Sequence, residues 1–95
     1  MSFTIKFTPK AEETYDALVA QLRQRWGEKF VIQFESKILK AINLISTSPY
    51  TYPIAEEKTE IRRCVLHKNC SMLYKIDKNV VSVVCFWDNR QEPIL

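Results

Sequence analysis

The chain carries a single glycine, a single histidine and no long apolar run. With only Gly27, it has no Gly-rich phosphate-cradling loop and no flexible Gly/Ser linker. With only His67, the usual histidine-based metal sites and nucleophilic triads have no material to build from. Apolar stretches are a handful of residues long, against the roughly 20 needed to cross a bilayer. The start, Met1-Ser2-Phe3, has neither the basic opening nor the apolar block of a secretion signal, so the expected location is the cytoplasm, with no membrane partner. The three cysteines, Cys64, Cys70 and Cys85, are odd in number and lie in apolar, strand-like segments rather than in metal-type pairs, so buried reduced thiols are expected. A Cys64–Cys70 disulfide across a hairpin is the alternative. No cofactor and no metal are expected.

What is present fits one small globule. Ninety-five residues with 46% hydrophobic and 26% charged content have enough apolar material for one modest core, so residues 1–95 read as a single domain. The formal charge of +3 is unevenly spread: residues 1–57 hold seven Lys/Arg and seven Asp/Glu, residues 58–95 seven and four. The excess therefore lies in the last two fifths, which either meets an anion or acidic partner or merely solvates strand faces and edges.

Periodicity divides the chain. Phe3, Ile5 and Phe7 alternate with polar residues over 2–7 and share one face of a strand. Thr8 is a cap, Pro9 fits the first helical position, and Glu12 and Glu13 favour the positive end of the helix dipole. Ala11, Tyr15, Leu18, Val19, Leu22 and Trp26 form one stripe, and Gly27 is the stop. A second stripe runs through Val31, Phe34, Ile38, Ala41, Ile42 and Ile45 and ends before Ser48-Pro49. The short link predicts an antiparallel helical pair facing one sheet. An irregular segment from Pro49 to about Thr59 follows, pinned by Tyr50 and Tyr52, with Glu56-Glu57 as solvated acids. Three strands then read as Ile61 to Lys68, Cys70 to Ile76 and Val80 to Trp87, joined by hairpins, the last strand covered on both faces. The expected fold is α+β in the order β-α-α-β-β-β, a helical hairpin packed on a small antiparallel sheet.

The pattern from Ile61 onward is more specific. Arg62-Arg63 opens one strand, Leu73-Tyr74 lies in the next, the apolar strand Val80 to Phe86 follows, and the chain closes with Asn89-Arg90-Gln91-Glu92-Pro93. Here, and in the element order, the chain resembles the RelE/ParE superfamily of toxins from type II toxin–antitoxin systems, the plasmid stabilisation family, over essentially its whole length. The resemblance implies a growth-arresting toxin neutralised by a cognate antitoxin, touching operator DNA only through that antitoxin. One branch cuts messenger RNA in the ribosomal A site with basic residues and a Tyr or His as acid or base. Arg62 and Arg90 match its positions, but two further basic positions fall at Cys64 and Ser71, and its C-terminal Tyr position is missing.

The ParE branch, which this chain resembles more closely through Arg62-Arg63, Leu73-Tyr74 and Asn89-Arg90-Gln91, binds and poisons DNA gyrase. The expected target-binding residues are Arg62, Arg63, Lys75, Trp87 and Arg90, supplying charge and an aromatic anchor. Strand alternation turns Arg62 and Arg63 in opposite directions, and Trp87 is equally at home in a core. If the chain cuts RNA, the catalytic candidates are Arg62, Arg90 and His67, with Lys68 beside it; His67 otherwise reads as an exposed histidine flanking a turn. A non-toxic module that binds its partner and regulates its own operon is the third reading.

Overall fold

The computed structural model describes residues 2–68 and 70–88. Strand β1 (Thr4–Phe7) leads into helix α1 (Pro9–Trp26), which turns at Gly27 into helix α2 (Glu28–Thr47). Strands β2 (Ile54–Glu56), β3 (Ile61–His67), β4 (Cys70–Asp77) and β5 (Val80–Asp88) follow. The helical hairpin packs on one sheet, as the periodicity predicts.

Local chemistry sets the helix ends. Thr8 Oγ1 accepts from the Ala11 amide at 3.0 Å and donates to the Val84 carbonyl at 2.9 Å, so the cap also ties α1 to β5. Gly27, at φ 90° and ψ 172°, ends α1 and begins α2. This backbone region belongs almost wholly to glycine, because a Cβ is strained there.

The sheet order is β1-β5-β4-β3-β2. Strand β1 runs parallel to β5 while the other pairs are antiparallel, so the sheet is mixed and five-stranded rather than all antiparallel. The helical hairpin carries the chain away from β1, leaving that strand free to pair beside the last one, and a parallel pairing leaves no local turn signal to read. The Phe3 amide donates to Ser46 O at 2.7 Å and the Thr4 amide to Asn79 O at 2.8 Å, fixing β1 against the end of α2 and the β4–β5 turn.

The segment after Pro49 is not irregular throughout, because β2 pairs there with the start of β3. Three residues are too few for a period of two to register. Glu56 is likewise not merely solvated. Its carboxylate accepts from the Thr59 amide and hydroxyl, both at 2.9 Å, and from the Lys58 amide at 3.3 Å, which holds its pKa below the usual range.

The helix-side core gathers Ala11, Val19 and Leu22 of α1, Val31, Phe34, Ile38, Ala41 and Ile45 of α2, and Cys64, Met72, Tyr74, Val81, Val83 and Phe86 of the sheet. Trp26 and Phe7, assigned to apolar faces by their periodicity, stay substantially exposed, and Trp26 stacks on Phe30 at 5.4 Å between ring centroids. A smaller cluster on the opposite face joins Ile61, Leu73 and Cys85 with Val84 and Trp87, so β5 is lined by apolar side chains on both sides. All three cysteines are free and buried; Cys64 sits opposite Met72, and Cys70 opposite His67, so no cross-strand Cys64–Cys70 pair forms. No helix of the described residues is long and apolar enough to cross a membrane.

Candidate functional site

The expected binding residues divide between the two faces of the sheet. Arg63, Lys75 and Trp87 share the face turned away from the helices, because they alternate with the helix-side residues Cys64, Tyr74 and Phe86. Arg62 lies on the helix side, opposite Tyr74. Arg90 is outside the described residues.

On the helix-free face the register builds rows. Lys6 of β1 pairs with Ser82 of β5, and Ser82 pairs with Lys75 of β4, so two exposed lysines flank one serine. One row along, Arg63 sits opposite Leu73, which sits opposite Cys85; the next row is Val65, Ser71 and Trp87. Cationic side chains thus border an apolar centre of Ile61, Leu73 and Cys85, with Trp87 half-buried at its rim. Lys6 was not among the expected residues, since its place depends on the parallel β1–β5 pairing. Arg63 Nε is buried and finds no acceptor among the described residues.

Arg62 is engaged with its own chain. Its Nη1 donates to the Tyr52 carbonyl at 2.6 Å and to the Tyr50 carbonyl at 3.4 Å, and its guanidinium lies 5.1 Å from the Tyr50 ring centroid. Its cross-strand neighbour Tyr74 donates to the Pro49 carbonyl at 2.6 Å. Tyr74 is fully buried, and burial pushes its hydroxyl up to about 12. The pair clamps the loop that leaves α2.

His67 is not an exposed turn residue. A bulge between Val65 and His67 turns it to the helix side, where it meets the Phe30 ring edge-on at 5.5 Å. Burial, then Lys37 and Lys68, lower its pKa, so the neutral ring is favoured. Five residues of β3 separate it from Arg62, roughly 16 Å along a strand, so the two catalytic candidates do not converge. Cys64 and Ser71, which stand at the two positions where the resemblance to an RNA-cutting branch implied basic residues, are both fully buried. Among the described residues, no group of three or more His, Cys, Asp or Glu side chains is arranged to hold a metal ion.

A helical hairpin after one strand, packed on one sheet that the later strands complete, is the architecture that the resemblance implied. A family model for the ParE toxin of type II toxin-antitoxin systems, parDE, matches residues 5–93, and the chain belongs to that family. No curated protein matches it in sequence. Among solved structures, the chromosomal ParDE toxin–antitoxin system of P. aeruginosa superposes with a TM-score of 0.75 at 13% identity, over 92% of this chain and 96% of that one. YafQ from E. coli strain BL21(DE3) gives 0.63 at 10% identity, over 93% and 94%. The YoeB dimer from Staphylococcus aureus gives 0.64 at 15%, over 92% and 97%. At such identities the likeness is one of fold.

Proposed function

We propose that this chain is the toxin half of a cytoplasmic toxin–antitoxin pair and arrests growth by binding a protein target, with DNA gyrase the target implied by its family resemblance. Its cognate antitoxin neutralises it and carries the pair to operator DNA. The observation that supports binding over RNA cleavage is the state of the groups a nuclease would need. Cys64 and Ser71 are buried where cations would line a groove, Arg62 is spent on loop carbonyls, and His67 sits at the far end of β3 against Phe30. Stabilising charge at a phosphate in flight requires several donors preorganised around one point. The helix-free face instead offers Lys6, Arg63 and Lys75 around an apolar centre with Trp87 at its rim, a composition suited to anchoring a partner of complementary charge.

The test is induction of the chain alone, following DNA supercoiling and replication against protein synthesis in the first minutes. Early loss of replication with translation continuing is the expected result. Early translational arrest, with ribosome-phased cuts in messages by primer extension, would select the nuclease reading. Harmless induction would select the autoregulatory module.

A further inference from the structure

Helix α2 turns a second apolar row away from the body of the protein. Val31, Phe34, Ile38, Ala41 and Ile45 enter the core, yet Ile32 is 59% and Leu39 63% exposed. They are seven positions apart, nearly two full turns, so one stands above the other, with the exposed Ser36 and Asn43 beside them. A helix that only covers its own sheet carries polar residues on this outer face.

The two flanks of the row differ in charge. On the α1 side, Phe7, Ile38, Leu39 and Ile42 line a groove of about 340 Å³ rimmed by Glu12 and Asp16. Glu35 belongs to the same flank, since its Oε2 accepts from the Tyr15 hydroxyl at 3.2 Å. Burial first, and then the Glu35 and Asp16 carboxylates, push the pKa of that hydroxyl up, so the acids are close neighbours. Arg23, the cation nearest to them, is held by Glu28 at 2.6 Å. On the opposite flank, toward β3, stand Lys37 and Lys40. Among the described residues, neither Lys40 nor Glu12, Asp16 or Glu35 joins an ion pair. Glu12 and Asp16, one turn apart on α1, repel each other, and a cation from outside would relieve them.

We propose that two copies of this chain associate through their α2 helices, laid side by side and parallel about a twofold axis that runs along them. This does not depend on the toxin reading. A twofold along the helices brings the α1 flank of one copy against the β3 flank of the other, acid against lysine; a twofold across them brings like flank against like. In the parallel arrangement Ile32 and Leu39 take the d positions of a heptad seam, and Ser36 and Asn43 the a positions. Glu35 is then at g and Lys40 of the second copy at e, the five-residue offset that parallel helices pair across a seam. The same register sets that lysine at the mouth of the groove beside Asp16, and the twofold repeats the contact. The helix-free face of the sheet stays open in both copies.

Sedimentation velocity of the full chain alone, over a series of concentrations, tests this. A monomer–dimer equilibrium in the micromolar range is expected, weak because the a positions are polar. Leu39→Glu, at an exposed position, should keep the melting temperature and weaken the dimer by about tenfold or more. Lys40→Glu should weaken it as well, and Glu35→Lys/Lys40→Glu, which exchanges the pair, should restore it. Asn43→Cys reads the direction of the helices, because the native cysteines are all buried. Under mild oxidation the introduced thiols should link two copies, whereas in an antiparallel pair centred on Ser36 they stand roughly 20 Å apart. A monomer at every concentration, or a dimer indifferent to Leu39→Glu, would overturn the proposal and leave the proposed function standing. A dimer whose charge exchange fails to restore it, or whose Asn43→Cys variant stays unlinked, would overturn the parallel arrangement. A Leu39→Glu chain that sediments as wild type but no longer holds its antitoxin would assign the row to that partner and equally overturn it.

Discussion

Arg62 and Tyr74 stand opposite each other on β3 and β4 and together hold the carbonyls of Pro49, Tyr50 and Tyr52. The loop they grip has to return the chain from the end of α2 to the edge of the sheet, and its backbone acceptors have no ladder to join. Tyr74→Phe leaves the Pro49 acceptor without its donor and should cost about 1–3 kcal/mol. Arg62→Ala should be destabilising too, and because both residues grip one loop the double mutant should fall short of the sum, with a coupling of about 0.5–3 kcal/mol by urea unfolding. Strict additivity would mean the two grips are independent. Any loss of toxicity in Arg62→Ala must therefore be read beside its stability.

The same tyrosine gives the fold an alkaline limit. Its folded pKa of about 12 lies above the ordinary 10.0, so the neutral hydroxyl is favoured in the native state. This contribution is fully present below pH 10, and declines as pH rises toward 12 because the unfolded chain releases the proton first. A two-unit difference corresponds to about 2–3 kcal/mol. Tyr15 and Tyr52 are shifted in the same direction, chiefly by burial, and add to the slope. Tyr74→Phe should flatten the fall in stability between pH 10 and 12; an unchanged slope would remove Tyr74 as its principal source.

What could be read from the sequence follows the range of the interactions responsible. The caps at Thr8 and Gly27, the buried stripes of both helices and the hairpins of β3, β4 and β5 are local patterns, and each lies within a residue or two of its expected bounds. The parallel pairing of β1 with β5 joins residues more than seventy positions apart, so Lys6 could not be grouped with Lys75. The split of the basic set was legible for Arg62 and Arg63, because alternation alone requires it. That Arg62 would be occupied was not, since it depends on the path of the loop behind it. His67 turned inward because of a bulge, which shifts side-chain parity without leaving a mark in composition.

Gly27 offers a test of the helical hairpin. A Cβ built there meets no atom within 4 Å, so a substitution would not be felt through packing. The backbone at φ 90° nevertheless disfavours any L side chain, at a cost of about 1–3 kcal/mol. Gly27→Ala should lower the melting temperature by about 4 °C or more, at about 4–8 °C per kcal/mol for a domain of this size. A melting temperature equal to wild type would mean the turn relaxes without strain.

Arg63 tests whether the helix-free face serves function at the expense of stability. Its Nε is buried with no acceptor among the described residues, while its stem lies beside the apolar cluster of Ile61 and Leu73. A buried donor left unsatisfied costs about 1–3 kcal/mol, so Arg63→Met, which keeps the unbranched stem and deletes the donor, should be neutral or stabilising by up to about 1 kcal/mol. If Arg63 is a target-binding residue, the same variant should lose growth arrest even as it melts at or above the wild-type temperature, the opposite of a loss caused by misfolding. Lys75→Glu, on the exposed neighbouring row, should also lose arrest without a change in melting. Toxicity retained in both variants would take the target away from this face.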